Sequence, residues 1–319
     1  MTKPYVYMTR QVSSEVLGLI QEVAQVGVWE EDRPVPRDIL LQEAKKAVAL
    51  YVMLTDRIDE ELLSQAPQLR MVASMAVGYD HIDLEACKRR GIVVTNTPDV
   101  LTEATADLAF ALLMATGRRM VEANRYLHEG RWESWGPYLL AGQSISGRTL
   151  GIIGMGRIGE AVAKRAAGFD MRVLYNNRKP RPEAEQAYGV AYRELDDLLQ
   201  ESDYVLLLTP LTPETRHLMS DREFGLMKPS AVFINVSRGA TVDEAALYRA
   251  LTTGQIWAAG LDVFEVEPIP TDHPLLTLPN VVAMPHIGSA TYETRDAMAM
   301  LAARNLVNVL IGEEPITPL

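Results

Sequence analysis

The sequence predicts an α/β protein built as two doubly wound parallel-sheet domains. Three observations carry that prediction. Short apolar, β-rich runs alternate with helical patterns along most of the chain, the signature of parallel sheets covered on both faces. The alternation is interrupted once, by a long helical pattern beginning at Thr102. The 319 residues also exceed the size at which one hydrophobic core keeps growing, so two domains are the default.

In the first series, "YVYM" (5–8), "AVALYVM" (47–53), "MVASMAV" (71–77) and "IVVTN" (92–96) are strand candidates. Between them, "SSEVLGLIQEVAQ", "DEELLSQAP" and "DLEACKRRG" read as helices; the last two open on Asp and the last stops at Gly91. Residues 102–130, "TEATADLAFALLMATGRRMVEANRYLHEG", read as a single long helix capped by Thr102. An aromatic, irregular stretch follows, "RWESWGPYLLAGQSISGRT". The second series offers "TLGIIG", "MRVLYNN", "DYVLLLTP", "AVFINVS", "IWAAGLDVF" and "NVVAMP" as strands with helices between. A final amphipathic helix begins near Ala290. If it packs on the first domain, that domain is split and the second is inserted, giving 1–101, 102–290 and 291–319.

Composition narrows the function classes. The net charge is −11 and Lys and Arg are not clustered, which argues against a nucleic-acid partner. A hydrophobic fraction of 48% excludes wholesale disorder. Cys87 is the only cysteine, so no internal disulfide or thiolate zinc site can form, and no metal is expected. No window reaches the ~18–20 apolar residues of a membrane span, and the first residues lack a signal-length apolar run. A soluble cytoplasmic protein is the expectation.

The second series opens on "TLGIIGMGRIGEAVAKRAAGF", with Gly154, Gly156 and Gly159 in GxGxxG register. The pattern follows an apolar strand, opens a helix through Arg157 and Ile158, and is followed by another strand, the context that makes it a dinucleotide fingerprint. Gly154 permits the tight turn, Gly156 lets backbone approach a pyrophosphate, and Gly159 lets helix pack on strand. The helix N-terminus meets the phosphate charge. About twenty residues on, an NAD site carries Asp or Glu for the ribose 2′-hydroxyl. Here the strand ends in "NNRKPRP", with Asn177, Arg178 and Lys179 at that place. Cations there pair with a 2′-phosphate, so NADP(H) is the preferred cofactor expected, with NAD(H) second.

Three more residues follow strands of the second series and are therefore expected at the same carboxyl edge: Arg238 in "INVSRGATVDEAAL", Glu267 in "LDVFEVEPIP" and His286 in "VVAMPHIGSA". Their chemistry is complementary. A guanidinium binds and orients an anionic 2-oxo acid through its planar fork. An imidazole supplies the proton a carbonyl oxygen needs as hydride reaches its carbon. A carboxylate beside the imidazole favours its charged form and fixes which nitrogen faces substrate.

With these motifs, and with "MAVGYDHIDL", the sequence resembles the D-isomer-specific 2-hydroxyacid dehydrogenases over nearly its whole length. The resemblance implies a Rossmann cofactor domain inserted in a split flavodoxin-like substrate domain. It assigns Arg238, Glu267 and His286 as the catalytic set. It adds Thr105, Thr209, Val236, Asp262 and Gly288 as cofactor contacts, and Leu54, Val77, Gly78 and Ser289 as substrate contacts, with Val77 and Gly78 offering backbone N–H groups to the substrate carboxylate. Within the family, "LYNNRKPRPE" and "WESWGPYLL" most resemble the glyoxylate/hydroxypyruvate reductase branch, which includes 2-ketogluconate reductases. There the aromatic segment reaches across a homodimer, so Trp135 either completes the partner's site or packs in its own subunit. The expected reaction is NAD(P)H-dependent reduction of glyoxylate, hydroxypyruvate or 2-ketogluconate to the D-2-hydroxy acid. D-3-phosphoglycerate or D-lactate dehydrogenase activity is the nearest alternative, although the acidic NAD determinant of those relatives is absent. A co-repressor-like, cofactor-sensing binding protein is the alternative from another class.

Overall fold

The structure, a computed structural model, describes residues 3–319. It divides into two compact units, one taking the chain up to Leu101 together with Ala290–Leu319, the other Thr102–Ser289. Ala290 thus falls with the first unit, not with the inserted one.

The first unit alternates β1 (Tyr5–Met8), α1 (Ser14–Val23), β2 (Gln25–Val28), α2 (Arg37–Ala44), β3 (Ala49–Val52), α3 (Glu60–Ser64), β4 (Met71–Ser74), α4 (Leu84–Arg89) and β5 (Val93–Thr95). The strands form a parallel sheet in the order β2-β1-β3-β4-β5. Successive residues of β3 enter opposite cores: Leu50 and Val52 pack on one face, Ala49 and Tyr51 on the other. Each residue of β3 is fully buried, which is why the strand reads as an unbroken apolar run.

In the second unit come α5 (Thr102–Gly117), α6 (Met120–His128), β6 (Thr149–Ile153), α7 (Arg157–Ala167), β7 (Arg172–Asn176), α8 (Pro182–Tyr188), β8 (Ala191–Tyr192), α9 (Leu195–Glu201), β9 (Tyr204–Leu207), α10 (Asp221–Leu226), β10 (Val232–Asn235), α11 (Glu244–Thr252), β11 (Ala258–Leu261) and β12 (Val281–Ala283). The sheet is parallel throughout, in the order β12-β11-β10-β9-β6-β7-β8. Chain order reverses between β6 and β9, the topological switch point where open α/β sheets bind ligands.

The last helix, α12 (Tyr292–Ile311), belongs to the first unit. Its Ala299, Ala302, Ala303 and Leu306 share a core with Val6, Met8 and Met71, and the Tyr51 hydroxyl donates to the Ala299 carbonyl at 3.1 Å. Thr291 caps its start and Gly312, at φ +86°, ends it in the left-handed region.

Two expectations from sequence fail. Residues 102–130 are two helices, because the Gly117 carbonyl accepts from Gln143 N at 2.7 Å and Arg119 turns left-handed at φ +52°. The helix expected over 13–25 stops at Val23, and Gln25–Val28 leave it to pair with β1. Among the described residues no helix is long and apolar enough to cross a membrane.

Candidate active site

Within the second unit the glycine loop sits at the switch point. Gly154 has φ +104°, and a Cβ there would lie 2.9 Å from both Leu208 C and Thr209 N. Gly159 is equally constrained, its missing Cβ falling 2.8 Å from the Gly154 carbonyl oxygen. Gly156 has nothing within 4 Å of that position and is exposed, leaving backbone open to a ligand. Arg157, exposed, and Ile158, half-buried, open α7. The Thr209 hydroxyl is buried and has no hydrogen-bond partner among the described residues. A buried hydroxyl of that kind calls for a ligand. The residues present fit a dinucleotide.

Asn177 is committed to the loop itself. Its Oδ1 accepts from Met155 N at 2.8 Å and its Nδ2 donates to Met155 O at 3.2 Å. Arg181, which the sequence reading did not single out, donates to the same carbonyl at 3.0 Å and pairs with Glu160 at 2.9 Å. Arg178 and Lys179 are exposed and enter no salt bridge among the described residues.

The catalytic candidates converge. His286 Nδ1 lies 2.6 Å from Glu267 Oε2, and the other Glu267 oxygen accepts from Phe264 N at 2.9 Å. Burial works against the Glu267 carboxylate, but the His286 hydrogen bond and charge, the Phe264 N–H and the Arg238 charge outweigh it. Its pKa is held below the ordinary 4.5. Arg238 follows β10 with extended backbone, its carbonyl accepting from Asn235 Nδ2 at 3.1 Å and Thr241 Oγ1 at 2.5 Å. Gly239 is required beside it: a Cβ would fall 1.7 Å from Phe264 C, so only glycine lets the Glu267 loop press this close to Arg238.

His286 itself has φ +55°. Asp262, at the end of β11, supports that conformation. Its carbonyl accepts from His286 N at 2.9 Å, its Oδ1 from Ile287 N at 2.8 Å and its Oδ2 from Gly288 N at 2.8 Å. Burial raises the Asp262 pKa above its ordinary value, opposed by those two side-chain bonds and the His286 charge. Around Gly288, a Cβ would meet Asp262 Oδ2 at 3.3 Å, Thr105 Cγ2 at 3.5 Å and Val236 Cγ1 at 3.7 Å, so four residues expected at the cofactor come together. Ser289 is half-buried at the end of this unit.

Leu54, Val77 and Gly78 belong to the first unit. Leu54 is half-buried after β3, in a turn closed by the buried Asp56, whose Oδ2 accepts from Met53 N at 2.7 Å and from the Thr9 hydroxyl. Val77 and Gly78 follow β4, and their N–H groups make no hydrogen bond among the described residues. Trp135 lies on the arm between α6 and β6 and is 80% exposed, so it does not pack in its own chain.

Known proteins bear on these observations. Residues 110–288 match the family described as D-isomer specific 2-hydroxyacid dehydrogenase, NAD binding domain. The chain is 50% identical over 319 residues to a glyoxylate reductase of Pyrococcus furiosus, covering 99% of this chain and 95% of that protein. Among solved structures, the TT0316 protein of Thermus thermophilus superposes with TM-score 0.93 at 47% identity, covering 99% of each chain. An NADPH-dependent glyoxylate/hydroxypyruvate reductase of Sinorhizobium meliloti, in complex with NADP and malonate, gives 0.87 at 36% identity over 100% of this chain and 97% of that one. By sequence and by fold, this chain belongs to the D-isomer-specific 2-hydroxyacid dehydrogenases, oxidoreductases that use a nicotinamide cofactor.

Proposed function

We propose that this protein reduces glyoxylate and hydroxypyruvate with NADPH to the D-2-hydroxy acid. The observation that carries the proposal is the 2.6 Å contact between His286 Nδ1 and Glu267 Oε2, with Arg238 favouring the same carboxylate. When bound, the nicotinamide supplies the hydride. Arg238 takes the substrate carboxylate and orients it. Glu267 holds Nδ1 and so fixes the ring with Nε2 free, from which His286 delivers a proton to the carbonyl oxygen. In the first unit, the Val77 and Gly78 amides and Leu54 contact the substrate, and Ser289 lies beside the histidine turn. Gly154, Gly156, Arg157, Ile158 and Gly159 hold the pyrophosphate, Thr209 gives it a hydroxyl, and Arg178 and Lys179 take the 2′-phosphate.

The experiment is a substrate panel of glyoxylate, hydroxypyruvate, 2-ketogluconate and pyruvate, each with NADPH and NADH. The proposal expects the highest kcat/KM for glyoxylate or hydroxypyruvate with NADPH. Equal efficiency with NADH overturns the cofactor assignment, and preference for pyruvate overturns the substrate assignment.

The same reading makes the protein a homodimer. Trp132, Trp135 and Tyr138 are 58%, 80% and 86% exposed on one arm, an apolar surface costly to leave in water. Sedimentation of a single monomeric species at micromolar concentration would contradict it.

A further inference from the structure

The Val77–Gly78 loop is wired to a part of the chain more than two hundred residues away. Asn96, 8% exposed, donates through Nδ2 to the Val77 carbonyl at 2.8 Å. The next residue, Thr97, donates its N–H to the Ala76 carbonyl at 2.9 Å. A trans peptide is planar, with its C=O and N–H pointing opposite ways. Fixing the Ala76 carbonyl therefore aims the Val77 N–H, and fixing the Val77 carbonyl aims the Gly78 N–H. Both amides face away from Asn96 and Thr97.

Asn96 is held in turn from the segment that follows α12. The Thr317 hydroxyl donates to the Asn96 carbonyl at 2.6 Å, and Asn96 N donates to Thr317 O at 3.3 Å. Thr317 is itself gripped by Asn305, a fully buried residue of α12. Asn305 Nδ2 donates to Thr317 Oγ1 at 2.8 Å and to Leu301 O at 2.9 Å, while its Oδ1 accepts from Ile316 N at 2.8 Å and Thr317 N at 2.9 Å. Leu319 N, bonded to Val94 O at 2.9 Å, lays the same segment along β5, the outer strand of its sheet. A buried polar network with its partners satisfied fixes one arrangement.

We propose that Asn305, Thr317 and Asn96 are positioning residues for substrate: through the Val77 carbonyl they hold the loop amides in the orientation that receives the 2-oxo acid's carboxylate. The proposal rests on the reading of those amides given under the proposed function. A carboxylate contact made equally in ground and transition states appears in KM and leaves kcat alone.

The test is steady-state kinetics on the full chain with glyoxylate and NADPH. Losing one hydrogen bond of this kind is worth roughly two- to tenfold in affinity. Asn96→Ala is expected to raise the KM for glyoxylate about tenfold and Thr317→Val about threefold, with kcat and the KM for NADPH within about twofold of the parent. Thr317→Ser, which keeps the hydroxyl, should match the parent. Lowered thermal stability with an unmoved glyoxylate KM, or both KM values rising together, overturns the proposal as mere structural support. Gly78→Pro, which deletes one amide proton, separates the two readings. If it leaves the glyoxylate KM unmoved, the amide reading falls, and this proposal with it. If it raises that KM while Asn96→Ala does not, the relay alone is wrong.

Discussion

His286 Nδ1 and Glu267 Oε2 stand 2.6 Å apart on loops that follow neighbouring strands, and the second Glu267 oxygen is already taken by Phe264 N–H. The carboxylate thus has one oxygen left and one side-chain partner for it. His286→Ala removes the proton donor and should depress kcat by about 10²–10⁴, the usual share of general acid catalysis. Stopped-flow or steady-state turnover with saturating NADPH measures it, and a loss under about fivefold would take His286 out of that role.

Glu267→Gln keeps the shape and deletes the charge. Losing the charge beside Nδ1 is expected to lower kcat/KM for glyoxylate by about 10- to 100-fold, the worth of one or two charge-assisted hydrogen bonds. An unchanged kcat/KM would mean that the pair does not operate in solution.

The same substitution has a signature in stability. The Glu267 pKa is lowered in the folded state, so its stabilising contribution is complete above the ordinary 4.5 and disappears as pH falls through the lower folded value. Asp262 runs the other way: its raised pKa means the charged form is penalised on folding, a cost relieved as pH drops. Glu267→Gln should therefore lower Tm by roughly 2–4 °C at pH 7, for a hydrogen bond of about 1 kcal/mol. The difference should close in acid, and calorimetry at pH 7 and at a pH well below 4.5 checks it.

Arg178 and Lys179 are exposed where the second strand of the Rossmann sheet ends. Replacing both with Ala should raise the KM for NADPH by about 10- to 100-fold, the worth of one or two charge-assisted hydrogen bonds, and leave NADH within about twofold. Equal effects on both cofactors would place the 2′-phosphate elsewhere.

Gly239→Ala would drive a methyl into the Phe264 backbone, 1.7 Å away. Overpacking against main chain costs about 1–3 kcal/mol. Because Phe264 N–H holds Glu267, activity should fall further than the loss of stability alone explains. A fully active, equally stable variant would refute the tight packing.

Much of this was legible in the sequence because it depends on local pattern. Buried parallel strands announce themselves as apolar runs, and a residue placed just after such a run must emerge at the carboxyl edge, which is how Arg238, Glu267 and His286 could be picked out. What stayed hidden depends on partners distant in the chain. The break after Gly117 is imposed by Gln143, and β2 becomes a strand only because β1 is there to pair with it. That the Asn177 amide clasps Met155 could not be read from its place after a strand. Arg181 and Asn96 carry no motif at all; only the carbonyls they hold reveal them.

Asp262 captures three successive backbone N–H groups, those of His286, Ile287 and Gly288. The turn that carries His286 is therefore held through its main chain, by bonds that do not involve the imidazole. Replacing the imidazole should remove one side chain and leave the loop around it in place.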